Sequence, residues 1–379
     1  MASASPVKRK EVQYEDASAS QKKRRLDTQE QDVELALLQN LDFSTLHSTS
    51  AISDRFDHVG RSLLYDFYLV VKSGHEETVF EILELEFYLR KDGCHEDPFT
   101  HGSEEQRVYG KWWVDNRLAA YVRPSTDALD STRSLTSLTI YRGGSRKGMD
   151  LTIGGSASET RKASTTAESN QGSTRGGALL RSLRRISDSK VISGPSLLVD
   201  EILRLSNAAD IPELVEKKWA GDISAFGSRP TSLFLRARAS FSQPKAAVYR
   251  SPRIGLDLSH TGTTASLSHP RVVFISRPYR YFSCPKLLTA KGRPQTFLGV
   301  LQYCIDTTYA SHDLKSKALL KELMRITGMG EKTASRYLEY YRDGVNSGKL
   351  KDFVGVQGKG ASSSPATYLQ MMGTLAQTR

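Results

Sequence analysis

The sequence predicts a mixed α/β (α+β) domain set between a polar N-terminal arm and a helical C-terminal extension, on three observations. Residues 78–89 alternate in polarity and are rich in β-branched and aromatic side chains, the pattern of a half-buried strand. Short segments of the same kind recur at 108–114, in "LTSLTIYRGG", in "GMDLTIGG" and in "GGALLRSLRRI". From 305 onward the apolar spacing turns helical. At roughly 150 residues per domain, 379 residues with 38% hydrophobic side chains can bury a sizeable core and still carry long polar segments.

Residues 1–31 hold Ser, Gln, Glu and Lys with hardly a large apolar side chain, so they bury too little surface to fold alone and read as a disordered tail. A short helix is expected over 33–41, and "SLLYDFYLVVKSG" at 62–74 reads as a buried element leading into the strand. Strand side chains repeat every two residues, which places Glu84 and Glu86 on one face and Leu83, Leu85 and Phe87 on the other. Asp97-Pro98 and His101-Gly102 then mark a turn-rich loop. Loops or insertions dominated by Ser, Thr, Arg and Gly are expected at 116–134 and 156–175. "SGPSLLVDEILRLSNAAD" reads as an amphipathic helix entered through Gly194-Pro195-Ser196, where Pro and Ser suit a helix start. "VYRSPRIGLDLS" and "RPYRYF" read as strand ends close to something functional. A single domain is thus expected over 32–300, a helical extension over 301–345, and a mostly disordered tail over 346–379 with one helix from 365.

Fifty-three Lys and Arg against 42 Asp and Glu give a net charge of +11, which suits a polyanionic partner and equally serves solubility. Lys8, Arg9 and Lys10, then Lys22, Lys23, Arg24 and Arg25, form two basic clusters with eleven residues between them. That is the layout of a two-part nuclear import signal read by an import receptor; a solvated basic arm is the alternative. Cys94, Cys284 and Cys304 are too few and too scattered for a disulfide framework or a CxxC site, which points to a reducing compartment. Cys94, His95 and His101 lack a second cluster to complete a metal site, so no metal is expected. No apolar run approaches the roughly 18 residues of a membrane helix and the first residues lack a signal core, so neither a secreted nor a membrane-spanning protein is expected. "GVQGKGAS" at 355–362 has no preceding strand and is not a phosphate-binding P-loop.

Taken in order, "ELEFY", the Asp97 to His101 spacing, "GKWWV", "GMDLT", "LLRSL", "SGPS", "SPRIGL" and "RPYRYF" resemble the alkyladenine (3-methyladenine) DNA glycosylase family over roughly residues 75–285. The resemblance implies a curved antiparallel sheet, a monomer, double-stranded DNA as partner, and hydrolysis of the bond between sugar and a damaged purine without metal or cofactor. It also implies that Glu86, the second acid of the Glu-x-Glu pair, activates the attacking water, bridged by Arg181 and by the backbone carbonyl of Ile254. A buried Glu86–Arg181 ion pair without chemistry fits the same residues. If 80–88 is a strand, Arg181 and Ile254 converge on Glu86 from separate strands while Arg253 points away. Tyr88 and His101 fall where the family stacks or edge-reads the flipped base, and stacking is worth about 1–3 kcal/mol per base.

The chain departs from the family at several positions. Asp115 stands where a third aromatic is expected, with Trp112 and Trp113 next to it, and Asp150 replaces an asparagine that guards against an amino group. The tyrosine wedge that fills the gap left by the base has no clear match; Tyr141 is nearest, with Arg142, Arg146 and Lys147 suited to phosphates, and a surface hairpin fits that stretch equally. Separately, "LMRITGMGEKTASRYLEYY" resembles a helix-hairpin-helix, whose Gly328 and Gly330 turn and Lys332 would meet a DNA phosphate; an ordinary αα-turn closed by glycine fits as well. Two functions follow: a nuclear DNA glycosylase, or a nuclear nucleic-acid-binding protein on the same fold that has lost the reaction.

Overall fold

A computed structural model describes residues 30–101, 103–116, 147–155, 173–227, 230–238, 246–307, 313–361 and 364–377. The two basic clusters, the expected strand around Tyr141, Arg142 and Arg146, and most of both expected insertions lie outside the described residues. The fold mixes helices with a curled antiparallel half-barrel sheet and ends in helices.

A first helix, α1, covers 30–40, and α2 covers Thr49–Tyr65, capped by the Ser48 side chain accepting from the Ala51 N–H. The run 62–74 is therefore two elements. α2 ends at Asp66 and the chain turns directly into β1, Phe67–Ser73. β2, Glu76–Lys91, is the longest strand and the centre of the sheet. One of its edges pairs with β6, Thr174–Arg185; the other pairs with β1 along Glu76–Glu81 and with β10, Arg280–Phe282, along Glu84–Glu86. Beyond β6 lie β5, Lys147–Thr152, and β4, Trp112–Asn116; beyond β1 lies β8, Thr231–Ala237. Short strands β3, His95–Glu96, β7, Val191–Ser193, and β9, Tyr249–Ser251, flank β2, β6 and β10. The expected strand at 108–114 begins later, because Gly110 takes a left-handed φ of 73° and leaves Val108 with only an isolated bridge to Gly155. The expected insertion 156–175 likewise stops sooner, since Thr174 and Arg175 already belong to β6.

The strict alternation expected for 78–89 does not hold. Phe80 and Ile82 face the first apolar core, and so do Leu85, Phe87 and Leu89, so the phase shifts by one residue between them. The register of β2 against β6 slips at two places: Leu83 is skipped on β2 and Arg181 on β6. A bulge of this kind bends the strand and re-aims side chains. Leu83 therefore leaves the face of Leu85 and Phe87 and packs in a second core with Phe282. Glu84, Glu86 and Tyr88 keep to the face opposite the first core.

α3, Pro195–Leu205, starts at Pro195 as its sequence indicates and buries Leu198, Val199 and Ile202 in the first core against β5 and β6. The second core is built by α4, Pro270–Ile275, α5, Arg293–Thr307, α6, Lys317–Thr327, α7, Glu331–Ser347, and α8, Pro365–Gln377. The expected boundary at 300/301 cuts through α5, whose Phe297, Val300, Leu301 and Cys304 form one buried stripe. The stretch 346–379 is also corrected: the helix at 365 is present, and Phe353, Ala361, Tyr368, Leu369, Met371, Met372 and Leu375 are buried. Glycines at the crossing of α7 and α8 serve close packing. A Cβ on Gly344 of α7 would lie 2.1 Å from the Gln370 carbonyl oxygen, and one on Gly373 of α8 would lie 2.1 Å from that of Tyr341. No helix among the described residues is long and apolar enough to cross a membrane.

Gly373→Val should force α8 off α7 at a cost of about 2 kcal/mol or more, read as a lower denaturation midpoint with faster amide exchange across 365–377.

Candidate active site

The two bulges bring two carboxylates and two guanidinium groups into one layer on the polar face of β2, opposite the first core. Glu86 is fully buried, and three segments hold its carboxylate. The Ile254 N–H donates to Oε1 at 2.7 Å, while the Tyr88 hydroxyl and Arg181 Nη1 donate to Oε2 at 2.9 and 3.2 Å. A carboxylate offers about four acceptor positions, so one remains for an incoming donor. Ile254 sits in the turn after β9 and engages Glu86 through its N–H; the carbonyl was the expected contact. Glu84 accepts from Arg181 Nε at 3.2 Å, Arg280 Nε at 2.6 Å and the Ser182 hydroxyl at 2.5 Å. Burial pushes the Glu84 carboxyl up, but Arg280, Arg181 and Ser182 outweigh burial and hold it below its ordinary value. Arg181 thus bridges both acids, while Arg280 completes its fork on Ser251 and on Thr296 of α5, each at 3.0 Å. With two charges of each sign, the cluster is balanced.

Arg253, expected to point away, makes no hydrogen bond to Glu86 among the described residues, although the Glu86 charge acts on it. It forms a fully buried pair with Asp97 at 2.5 Å, donates to the Phe87 carbonyl, and lies 4.5 Å from the centre of the Tyr88 ring. One face of Tyr88 is therefore covered by a cation and its hydroxyl is spent on Glu86. Tyr368 of α8 enters the second core with its hydroxyl buried and without a hydrogen-bond partner among the described residues. Burial raises the pKa of this phenol, and the charges of Arg280 and Glu86 act on it in opposite senses.

Strand register places the other residues. Asp150 on β5 pairs with Leu179 on β6, Leu179 with Glu86 on β2, and Glu86 with Arg280 on β10, so these four side chains form a cross-strand row on one face. Trp113 continues that row opposite Asp150 and lies outside both apolar cores, whereas its neighbour Trp112 points into the first core and donates to the Leu233 carbonyl. Trp113 is thus an aromatic on the site's face, where the sequence offers it only as a neighbour of Asp115; period-two counting along β4 separates it from Trp112. Arg280 was within the quoted "RPYRYF" but carried no role. Asp115 pairs in register with Gly148, and His101 is exposed. Lys147, expected to serve phosphates, is tied to Asp200 of α3 at 2.6 Å. His95 is engaged through both ring nitrogens, with the Leu89 carbonyl and the Tyr279 hydroxyl.

Away from the cluster, Gly328 closes α6 with φ 70° and Gly330 caps α7, with the Gly330 carbonyl accepting from Thr333 and Ala334. Met329 between them is buried, so this is a tight helical hairpin with Lys332 exposed on the first turn of α7. Among the described residues, no group of three or more His, Cys, Asp or Glu is placed to hold a metal.

No protein-family model matches the chain. Over 222 residues it is 25% identical to the uncharacterized protein L759 of Acanthamoeba polyphaga mimivirus, covering 59% of this chain and 85% of the viral protein.

Glu84→Gln leaves Arg280 and Arg181 buried with one balancing charge fewer, and should cost about 3–5 kcal/mol of unfolding free energy. Because the folded pKa of Glu84 lies below its ordinary 4.5, its stabilisation is present above that pH and is lost as pH falls through the lower folded value. Denaturation midpoints measured from about pH 5 downward should fall with acid in the wild type and less steeply in Glu84→Gln.

Tyr368→Phe removes a buried hydroxyl that has no partner, so its melting temperature should equal or exceed that of the wild type; a marked drop would mean that the hydroxyl is bonded in solution.

Proposed function

We propose that the protein is a DNA glycosylase that hydrolyses the N-glycosidic bond of a damaged purine flipped from duplex DNA. The observation that carries the reading is Glu86: a buried carboxylate fixed by donors from β6, from the turn after β9 and from Tyr88, with one acceptor position left. A carboxylate so placed can orient a water and take its proton as the water attacks the sugar carbon. Arg181 supplies positive charge beside the reacting water, and Tyr88 and Trp113 offer aromatic surface on the same face for the extruded base. The order of motifs resembling alkyladenine glycosylases supports the same assignment. The Gly328–Gly330 hairpin, with Lys332, is proposed to hold a phosphate of the duplex, and the clusters at Lys8–Lys10 and Lys22–Arg25 to direct nuclear import. On this reading the enzyme acts as a monomer and Asp150 tolerates an amino group.

A second reading is a nucleic-acid-binding protein of the nucleus that keeps the fold without the reaction. It is favoured by the charge balance of the Glu84, Glu86, Arg181 and Arg280 cluster, which is complete as a structural unit, and by Lys147 being committed to Asp200.

Release of free base from alkylated and deaminated duplex DNA separates the two. The wild type should excise at least one lesion, and Glu86→Gln should lower that rate by about 10²–10⁴-fold while the protein remains folded. Salt-sensitive duplex binding with no release from any lesion would leave the second reading in place.

A further inference from the structure

Beyond Asp97, the loop between β3 and β4 takes no part in the chemistry above, yet it holds buried polar atoms with unused hydrogen-bonding capacity. Thr100 Oγ1, Ser103 Oγ and Gln106 Oε1 are buried with no hydrogen-bond partner among the described residues. Folded proteins leave few such atoms unpaired, so three within 100–106 call for a physical reason.

The geometry of Gln106 supplies one. Its Nε2 donates to Asp150 Oδ2 at 3.0 Å. Only the amide nitrogen can donate to a carboxylate, so this bond fixes the flip of the side chain and leaves Oε1 as the acceptor without a partner among the described residues. Gln106 lies in a single 3₁₀ turn, Glu104–Arg107, and its N–H donates to the Ser103 carbonyl at 3.2 Å. Ser103 is the residue just before this turn, three positions from Gln106, and its hydroxyl is likewise buried and unpaired among the described residues. The turn is fastened to the sheet. The Arg107 carbonyl accepts from the Gly155 N–H, a Cβ on Gly154 would fall 2.1 Å from that oxygen, and Glu104 pairs with Arg175 of β6 at 2.6 Å. Gln106 is thereby a preset acceptor and not a side chain in search of a rotamer.

Its distance from Glu86 follows from the sheet. Asp150, Leu179 and Glu86 occupy neighbouring strands in one row, so the Asp150 end lies two strand spacings, about 10 Å, from the Glu86 end. That is the length of a bicyclic base with a hydrogen bond at each end. Gly177 of β6 makes room for the Asp150 side chain, since a Cβ there would lie 2.8 Å from the Asp150 Cβ.

We propose that Gln106 Oε1, flanked by Ser103, accepts a hydrogen bond from an exocyclic amino group on the far edge of the base whose glycosidic bond lies at Glu86, so that the substrates are amino-bearing purine lesions. This rests on the glycosylase reading and adds to it a residue that selects the base. An amide oxygen is an acceptor only, which an N–H edge satisfies and a carbonyl edge repels.

The test uses the full-length chain and two matched pairs of duplexes: 7-methylguanine against 7-methylhypoxanthine, and 7-methyladenine against 7-methylpurine, each pair differing only by an amino group. The wild type should release the amino-bearing base about tenfold faster in at least one pair, and Gln106→Met should reduce that ratio to near one while the protein remains folded. Ser103→Ala should reduce it partly. Equal release within both pairs by the wild type would overturn the inference even with no variant made, and leave the glycosylase reading intact. A ratio that persists in folded Gln106→Met would overturn it too. No release from any duplex would remove the glycosylase reading and the inference with it.

Discussion

The one-residue slip at Leu83 and Arg181 is the constraint on which the site depends. Without it, the period of β2 would carry Glu84 and Glu86 onto the face of Phe80 and Ile82, into an apolar layer where an unpaired carboxylate is too costly to bury. With it, the strand serves two environments: apolar side chains continue on the core side, and three polar ones line the other. The matching slip on β6 frees Arg181 from the regular pairing and lets its guanidinium reach both acids. The helices of the second core then close around Arg280, through Thr296, so that the charge cluster ties the sheet to the C-terminal half.

Such a cluster is weak evidence of stabilisation by itself, because desolvating four ionic groups offsets most of their mutual attraction. Its value lies in geometry. Each guanidinium is a rigid fork with several partners, so the acids cannot rotate without breaking bonds elsewhere. Orientation of this kind, fixed before any ligand arrives, is what a hydrolytic carboxylate or a strict recognition site requires.

Much of this was legible in the sequence because it rests on local signals. The strand carrying Glu86, the Pro195 helix start, the glycine hairpin at Gly328 and the helix from 365 all follow from periodicity or from residues with restricted backbones. The joining of Glu86, Arg181 and Ile254 was also anticipated, though through an N–H where a carbonyl was expected. What stayed hidden depends on pairing between distant segments. Neither slip shows in the residues around it, so Leu83 was placed on the wrong face. Gly373 falls in the stretch expected as tail, and only the crossing of α7 and α8 gives it and Gly344 a reason. Gln106 carries no motif, and its meaning comes only from Asp150 beside it.

The separation of these partners along the chain bears on how the protein is made. Glu84 meets Arg280 across 196 residues, and Glu86 meets Ile254 across 168. At about 5–20 residues per second, a ribosome exposes β2 roughly 10–40 s before Arg280 exists. Through that interval a strand rich in Phe, Leu and Ile has an unpaired edge, the usual starting point of aggregation. Its own Glu81, Glu84 and Glu86 are then solvated charges that keep it from pairing with its copies. The acids that later form the heart of the folded site thus act first as guardians of the unfinished chain.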